Sequence, residues 1–341
     1  MKKIIAVIMC LVFLLSLCSC VDLKMGGTED MPRIIDVEIF KDTEAWDLAV
    51  AVKKQNVKKI REIAGENPNL LDFQEPNYDV TLLIWAVGMG KYKSAEALLE
   101  SGANPNIAAN ITEKYDALWG ETLKGRANFL PAGIRPPLLG QTALFVASGF
   151  LWTDSFANKD PKYVKLLLKY GADPNICYHS TFPDGTKYID PGTSPLMQSI
   201  MCGIEKTKAL VEAGADINHK TESGRTAAII SLPGAGTATL EELEYAHYLI
   251  VEKKANVTDL YFRSQRMLLG NADPNEEFYP VDLLKNLTFE IGSDRYKVKM
   301  EIVAEFERQG ANYRDARINI NTMRIIQKKY PDTWEEYIKV Y

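Results

Sequence analysis

The sequence predicts an all-α solenoid, a stack of helix-turn-helix units joined by hairpin loops. A phrase typical of a helix end and turn occurs three times, as LLESGANPNI at 98–107, LLKYGADPNI at 167–176 and LVEAGADIN at 210–218. A frame of one hydroxyl residue, several apolar residues and one small residue recurs upstream. In the predicted second helices, apolar residues recur at intervals of three and four residues, which marks one buried helix face. These patterns indicate repeated structure rather than repeated chemistry.

Each part of the phrase has a physical reason. The residue that ends a helix enters the left-handed region, which favours glycine. The sequence places glycine there four times, at Gly102, Gly171, Gly214 and Gly310. Pro105 and Pro174 then prevent the helix from restarting. One helix pair cannot bury its apolar face alone, so we expect successive pairs to stack.

The frame starts at Thr81, Thr142, Ser194 and Thr226 and places small residues at 86, 147, 199 and 231. With the GADxN turn, this pattern resembles the ankyrin repeat, a unit of about 33 residues that opens with T-P-L-H-x-A. The resemblance implies a short first helix that begins at the hydroxyl residue, a second helix, and a hairpin toward the next unit. It also implies recognition of another protein through the loops, without a cofactor.

We assign the repeat domain to residues 41–316. It contains about six units, near 46–67, 81–107, 142–176, 194–218, 226–257 and 279–313. The fifth unit is the most degenerate, because Lys254-Ala255-Asn256 replaces the glycine phrase. Insertions are predicted near 108–140, 177–193 and 258–278. The last of them contains NADPN at 271–275, which either ends a truncated helix or forms a loop. Residues 317–341 are expected to form capping helices with a polar outer face.

The first residues have the pattern of a targeting signal. Two lysines precede an apolar run from Ile4 to Leu17, too short to span a membrane. Leu17-Cys18-Ser19-Cys20 resembles a bacterial lipoprotein signal, which implies cleavage after residue 19 and a lipid on Cys20. An ordinary signal peptide is the alternative. We therefore predict a signal at 1–19 and a tether at 20–40, in which 34–40 alternates enough to allow one edge strand.

The lipoprotein pattern implies attachment to the bacterial cell envelope, facing away from the cytoplasm, on either the outer or the cytoplasmic membrane. Removing the signal takes away two lysines and moves the formal net charge from −5 to −7. An acidic chain without a basic patch is a poor ligand for nucleic acid. Cys177 and Cys202 either pair in this compartment or lie buried as small apolar residues.

Aromatic residues in the insertions, and two at 150 and 152 within the third unit, are candidates for binding another protein. We select Trp119, Phe129, Phe150, Trp152, Tyr178, His179 and Phe182. The alternative is that these loops fold onto their own scaffold. We predict a monomeric, membrane-anchored binding module, either an immunity or inhibitor protein that blocks a toxic enzyme or a scaffold of an envelope complex. The rival class is an enzyme whose site is assembled from the insertions.

Motifs for catalysis are sparse. Glu244 and His247 have the Glu-x-x-His spacing of half a di-metal site, but that chemistry needs a second copy, and the sequence has none. The sequence contains no phosphate-binding Gly-Lys-Ser/Thr loop, no Gly-x-Ser-x-Gly elbow and no Cys-x-x-Cys pair. We therefore predict neither catalytic residues nor a metal or cofactor.

Overall fold

The computed structural model consists of stacked antiparallel helix pairs. It describes residues 34–110, 141–149, 151–152, 159–179, 189–233, 238–259, 262–263 and 277–341. In chain order the helices are α1 (Trp46–Lys53), α2 (Val57–Glu66), α3 (Leu82–Gly88), α4 (Tyr92–Glu100), α5 (Ala143–Ser148), α6 (Lys162–Lys169), α7 (Pro195–Ser199), α8 (Ile204–Glu212), α9 (Ala227–Ser231), α10 (Leu240–Ala246), α11 (Pro280–Lys285), α12 (Asp294–Arg308), α13 (Ile320–Lys329) and α14 (Trp334–Val340). Helix α10 continues as a π-helix over His247–Glu252.

We number the pairs α1–α2 to α11–α12 as units 1 to 6, and α13–α14 form a C-terminal pair. Among the described residues, strand is confined to one short antiparallel pair, β1 (Phe262–Arg263) with β2 (Glu277–Phe278). The fold is therefore the predicted all-α repeat solenoid. None of the described helices is both long and apolar enough to cross a membrane.

The first helices begin where the hydroxyl frame predicts. Thr81, Thr142, Ser194 and Thr226 each accept a hydrogen bond from the backbone N–H three residues ahead, at 3.2 to 3.3 Å. This is the N-cap interaction, which satisfies a donor that the helix itself leaves unpaired. The small residues at the far end of the frame are almost completely buried, which allows the helices of adjacent units to approach closely.

The second helices end at the predicted glycines. At Gly171 the φ angle is +85°, and Ala172 N–H donates to the Leu167 carbonyl at 3.0 Å, as in a Schellman motif. The same geometry recurs at the other three glycines. In unit 5, Lys254 occupies the equivalent position with φ of +59°, so a lysine adopts the left-handed conformation that glycine adopts elsewhere.

The N-terminal segment differs from the prediction. Val37–Phe40 forms a 3-10 helix instead of an edge strand, so that expectation was wrong. Trp85 in unit 2 donates its indole N–H to the Ile34 carbonyl at 3.1 Å, and Val37, Ile39 and Phe40 are buried against unit 1. This long-range anchoring outweighs the alternating pattern, and it makes residues 34–40 part of the packed core rather than of a tether.

Candidate protein-interaction edge

Asparagine side chains tie the turn of each unit to the next. Asn106 accepts from Asp173 N–H at 2.8 Å and donates its amide to the Gly171 carbonyl at 3.1 Å. Asn175 makes the same two bonds to Asp216 N–H and the Gly214 carbonyl, at 2.8 and 3.1 Å. We call this row of contacts the turn ladder. It fixes the spacing of the turns and hence of the hairpins that follow them.

The turn ladder continues between units 1 and 2 and between units 4 and 5, with one hydrogen bond at each interface. Asp72 accepts from Asn104 N–H at 2.8 Å, and Asn218 accepts from Asn256 N–H at 2.8 Å. Sequence reasoning assigned the glycines of the repeated phrase a role and gave none to its asparagines. Their recurrence at one position of the phrase was the signal that could have revealed the ladder.

Each hairpin leads into the first helix of a unit, and we call the set of hairpins the hairpin edge. Isolated bridges close their bases between Gln74 and Thr81, Ala108 and Thr142, and Tyr178 and Thr193. The base of hairpin 177–193 also contacts hairpin 219–225, where Glu222 N–H donates to the Pro191 carbonyl at 2.9 Å. Two pairs of neighbouring hairpin bases are therefore joined, since Gln74 in the first base also donates to the Ala108 carbonyl at 3.2 Å.

The first hairpin is held by a buried carboxylate. Glu75 is fully buried, and it accepts hydrogen bonds from the backbone N–H groups of Asn77 and Tyr78. Burial raises the pKa of Glu75 to about 7, although these donors oppose the shift. Asp79 in the same hairpin accepts from the backbone and side chain of Asn110, at 2.9 and 3.1 Å. The hairpin thus positions the residue that precedes insertion 111–140.

The predicted contact residues fall into three groups. Trp119, Phe129, Phe150 and Phe182 lie outside the described residues, as does Cys20. His179 is exposed on the hairpin edge. Tyr178 is only 2% exposed and packs on Phe145, with ring centroids 6.0 Å apart. The prediction of Tyr178 as a contact residue therefore needs correction, because its side chain stabilises the hairpin base and is not available to a partner.

Trp152 lies away from the hairpin edge. It is half-buried, its backbone N–H donates to the Gly88 carbonyl at 2.9 Å, and its ring lies against Gly88 at the end of α3. Each hairpin comes before the start of a first helix, whereas Trp152 contacts Gly88 at the end of one. The seven-residue helix α3 therefore separates this contact from the hairpin by about 10 Å. The structure does not bring Trp152 together with His179. We therefore assign Trp152 to packing between units 2 and 3.

The thiol of Cys177 lies 3.3 Å from His219 Nε2, and the same nitrogen is 2.8 Å from the Gly192 carbonyl. Burial raises the pKa of Cys177, and Asp173 and Asp216 add to the shift, so the thiolate that a nucleophile requires is disfavoured. Cys177 and Cys202 are both buried, and no disulfide joins them. This contact therefore belongs to the packing between hairpins.

His247, which the Glu-x-x-His spacing suggested as a metal ligand, does not pair with Glu244. Its Nε2 lies 2.8 Å from Glu301 and its Nδ1 lies 3.4 Å from Glu252, whereas Glu244 faces Lys208 at 3.6 Å. Within the described ranges, no group of three potential ligands is arranged to hold a metal ion. His247 contributes instead to the contact between the π-helix and α12.

The family model of the ankyrin repeat matches residues 78–110 and 139–178, which are units 2 and 3 with their hairpins. The chain is also similar to a crystal structure of EF0377, an ankyrin repeat protein, at 16% identity and a TM-score of 0.45, over 79% of this chain and 99% of that one. No match was found among proteins of curated function. The family match identifies units 2 and 3 of this all-α repeat solenoid as ankyrin repeats, and ankyrin repeats generally mediate protein–protein interaction.

Proposed function

We propose that this protein is a lipid-anchored module of the bacterial envelope that binds another protein through its hairpin edge. The observation that carries the proposal is the contact between neighbouring hairpin bases, through Glu222 N–H to the Pro191 carbonyl and through Gln74 to the Ala108 carbonyl. A rigid support lowers the conformational entropy that binding must overcome. Between the ends of two of these hairpins, residues 111–140 and 180–188 of the sequence include Trp119, Phe129 and Phe182. Aromatic side chains of this kind often contribute most of the energy at an interface.

The anchor follows from Leu17-Cys18-Ser19-Cys20 after the short apolar run. A lipid carried on Cys20 with two or more acyl chains would hold the protein firmly, because one chain alone gives only marginal binding. The test is fractionation of cells that express the Cys20→Ser and Cys18→Ser variants. We expect Cys20→Ser to release the protein from membranes and Cys18→Ser to leave it bound. Retention of the Cys20→Ser variant would exclude this anchor.

The binding edge can be tested separately from the anchor. A soluble form that starts at Asp22 serves as bait, and one variant replaces 111–140 and 180–188 by short glycine-serine linkers. The bridges at Ala108–Thr142 and Tyr178–Thr193 lie outside these replacements, so the scaffold should persist. The matched control replaces 153–158, which directly follows Trp152 in the sequence. We expect the first variant to lose the captured partner and the control to keep it; the reverse result would move the interface to 153–158.

The identity of the captured protein distinguishes the two forms of the proposal. An immunity or inhibitor protein should capture a toxic enzyme encoded beside its own gene and suppress that enzyme's activity at equimolar concentration. A scaffold should capture an envelope component without inhibiting it. The anchor suits the first form because it would concentrate an inhibitor at the surface that an incoming toxin reaches.

A further inference from the structure

The turn ladder stops between units 5 and 6. Thr258 occupies the position that Asn106, Asn175 and Asn218 hold in the earlier phrases. Its hydroxyl donates within its own turn, to Asn256 Oδ1 at 3.2 Å. A threonine hydroxyl carries a single proton. Thr258 donates that proton to Asn256, so it has none left to donate to the next turn as the asparagine carboxamides do.

The groups that the ladder would engage in unit 6 are the Gly310 carbonyl and Asn312 N–H. They correspond to the Gly171 carbonyl and Asp173 N–H that Asn106 binds. Among the residues that the structure describes, none donates to the Gly310 carbonyl and none accepts from Asn312 N–H. The side chain of Asn312 is held within its own turn, by Arg314 N–H and by Asp315. At each of the four preceding interfaces, the N–H equivalent to that of Asn312 donates to a side chain of the preceding unit.

A groove of about 470 Å³ opens at this interruption. The groove is lined by Val257 and Thr258 of unit 5, by Gly310, Ala311 and Asn312 of unit 6, and by Tyr279; Asp282, Asp315 and Arg317 also belong to its lining. Tyr279 is 40% exposed, which is high for a large side chain. The volume lies within the range of about 300 to 1,000 Å³ that is typical of ligand sites.

The walls of the groove are held in place independently of any ligand. Gln309 accepts from Val257 N–H at 3.2 Å and donates to the Ala255 carbonyl at 3.1 Å, so the turn of unit 5 is tied to α12. On the other side, Asp282 accepts from Arg317 N–H at 3.0 Å. These contacts leave the Gly310 and Asn312 groups accessible between two fixed walls.

We propose that this groove is a binding site for a primary carboxamide, the side chain of an asparagine or glutamine on a partner polypeptide. The bound amide takes the place that Asn106 and Asn175 take in the earlier turns: its oxygen accepts from Asn312 N–H and its nitrogen donates to the Gly310 carbonyl. A carboxylate can accept but cannot donate, so the site discriminates against aspartate and glutamate. The site depends neither on the lipid anchor nor on the hairpin edge, and its failure would leave the proposed function standing.

The experiment follows the backbone amide signal of Asn312 by nuclear magnetic resonance in the full-length protein, with acetamide as probe and acetate as its acidic counterpart. We expect acetamide to shift the Asn312 signal in a saturable way, with weak, millimolar affinity, and acetate to leave it unchanged. Equal responses to the two probes would overturn the proposal, since only the amide can make both bonds.

Two variants complete the test. Thr258→Asn supplies the carboxamide from the chain itself, so it should abolish the acetamide response and slow hydrogen exchange of Asn312 N–H by about two- to tenfold, as expected for one net hydrogen bond. Asn175→Thr should create the same opening at Gly214 and Asp216 and make the Asp216 signal respond to acetamide. An acetamide response that persists in Thr258→Asn, or none at Asp216 in Asn175→Thr, would contradict the assignment.

Discussion

The side-chain oxygen of Asn106 accepts a hydrogen bond of 2.8 Å from the backbone N–H of Asp173, in the turn of the following unit. The same side chain donates to the Gly171 carbonyl, so one residue binds both polar groups of that turn. This contact explains why the repeated phrase has an asparagine four residues after its glycine. Two units meet through the carboxamide, and the next phrase repeats the arrangement with Asn175.

We expect Asn106→Ala to lower the free energy of unfolding by about 1 to 3 kcal/mol, because two hydrogen bonds of about 0.5 to 1.5 kcal/mol each are lost. Asn106→Asp keeps the acceptor and loses the donor, so its effect should be smaller. Urea unfolding of the three proteins measures the differences. If Asn106→Asp were as damaging as Asn106→Ala, the bond to Asp173 would contribute little.

Replacing Gly171 tests the left-handed helix end. An added Cβ would meet no atom within 4 Å, so the cost of Gly171→Val comes from the backbone at φ of +85°. We expect a loss of roughly 1 kcal/mol or more, with faster hydrogen exchange in units 3 and 4 than in the C-terminal helices. Lys169→Val, at an exposed position of α6, is the control and should cost well under 1 kcal/mol. Equal stability of Gly171→Val and the parent would reject this role for the glycine.

The positions of the helices could be predicted because single residues determine local geometry. Thr142 starts a helix and Gly171 ends one through contacts within a few residues, and both are visible in the sequence. The parts that could not be predicted depend on distant partners. Trp85 draws Ile34 into the core across 51 positions, and Tyr178 is buried because Phe145 lies beneath it. The groove beside Thr258 was equally invisible, since it follows from a bond that fails to form between two units.

Two helical glycines should respond to alanine in opposite directions. At Gly88, an added Cβ would come within 2.4 Å of the Trp152 ring, so Gly88→Ala must displace that ring and lower stability. At Gly65 in α2 nothing lies within 4 Å, so Gly65→Ala should raise stability by about 0.5 to 1 kcal/mol through helix propensity. Thermal unfolding compares the two variants. A neutral Gly88→Ala would show that the contact with Trp152 is dispensable.

Stability should depend on pH through Glu75. Its folded pKa of about 7 lies above the ordinary value of 4.5, so the folded state binds a proton more tightly than the unfolded state does. The contribution to stability is complete below pH 4.5 and is lost as the pH rises through 7. We expect the stability difference between the parent and Glu75→Gln to change between pH 5 and 7.5 in chemical denaturation. Glu62→Gln, at an exposed position of α2, is the control and should show no such change in that range.

Lys299 should have the opposite dependence. It is fully buried on α12, donates to the Leu287 carbonyl at 2.9 Å and lies 3.3 Å from the centroid of the Tyr341 ring. Burial lowers its pKa to about 6, and the nearby Lys285 adds to the shift, whereas the Tyr341 ring favours the charged form. The ordinary value is 10.5, so between pH 6 and 10.5 the unfolded state binds the extra proton.

Stability should therefore rise with pH across that range, by up to about 1.4 kcal/mol per pH unit from this one group. We expect Lys299→Met to remove this contribution, so that the difference in unfolding free energy between parent and variant grows from pH 6 to pH 9. Lys297→Met on the same helix removes an exposed lysine that pairs with Asp294 and should leave the slope unchanged. Denaturant unfolding at four pH values separates the cases. Parallel profiles for the parent and Lys299→Met would mean that Lys299 keeps its proton in the folded protein, stabilised by the Tyr341 ring and the Leu287 carbonyl.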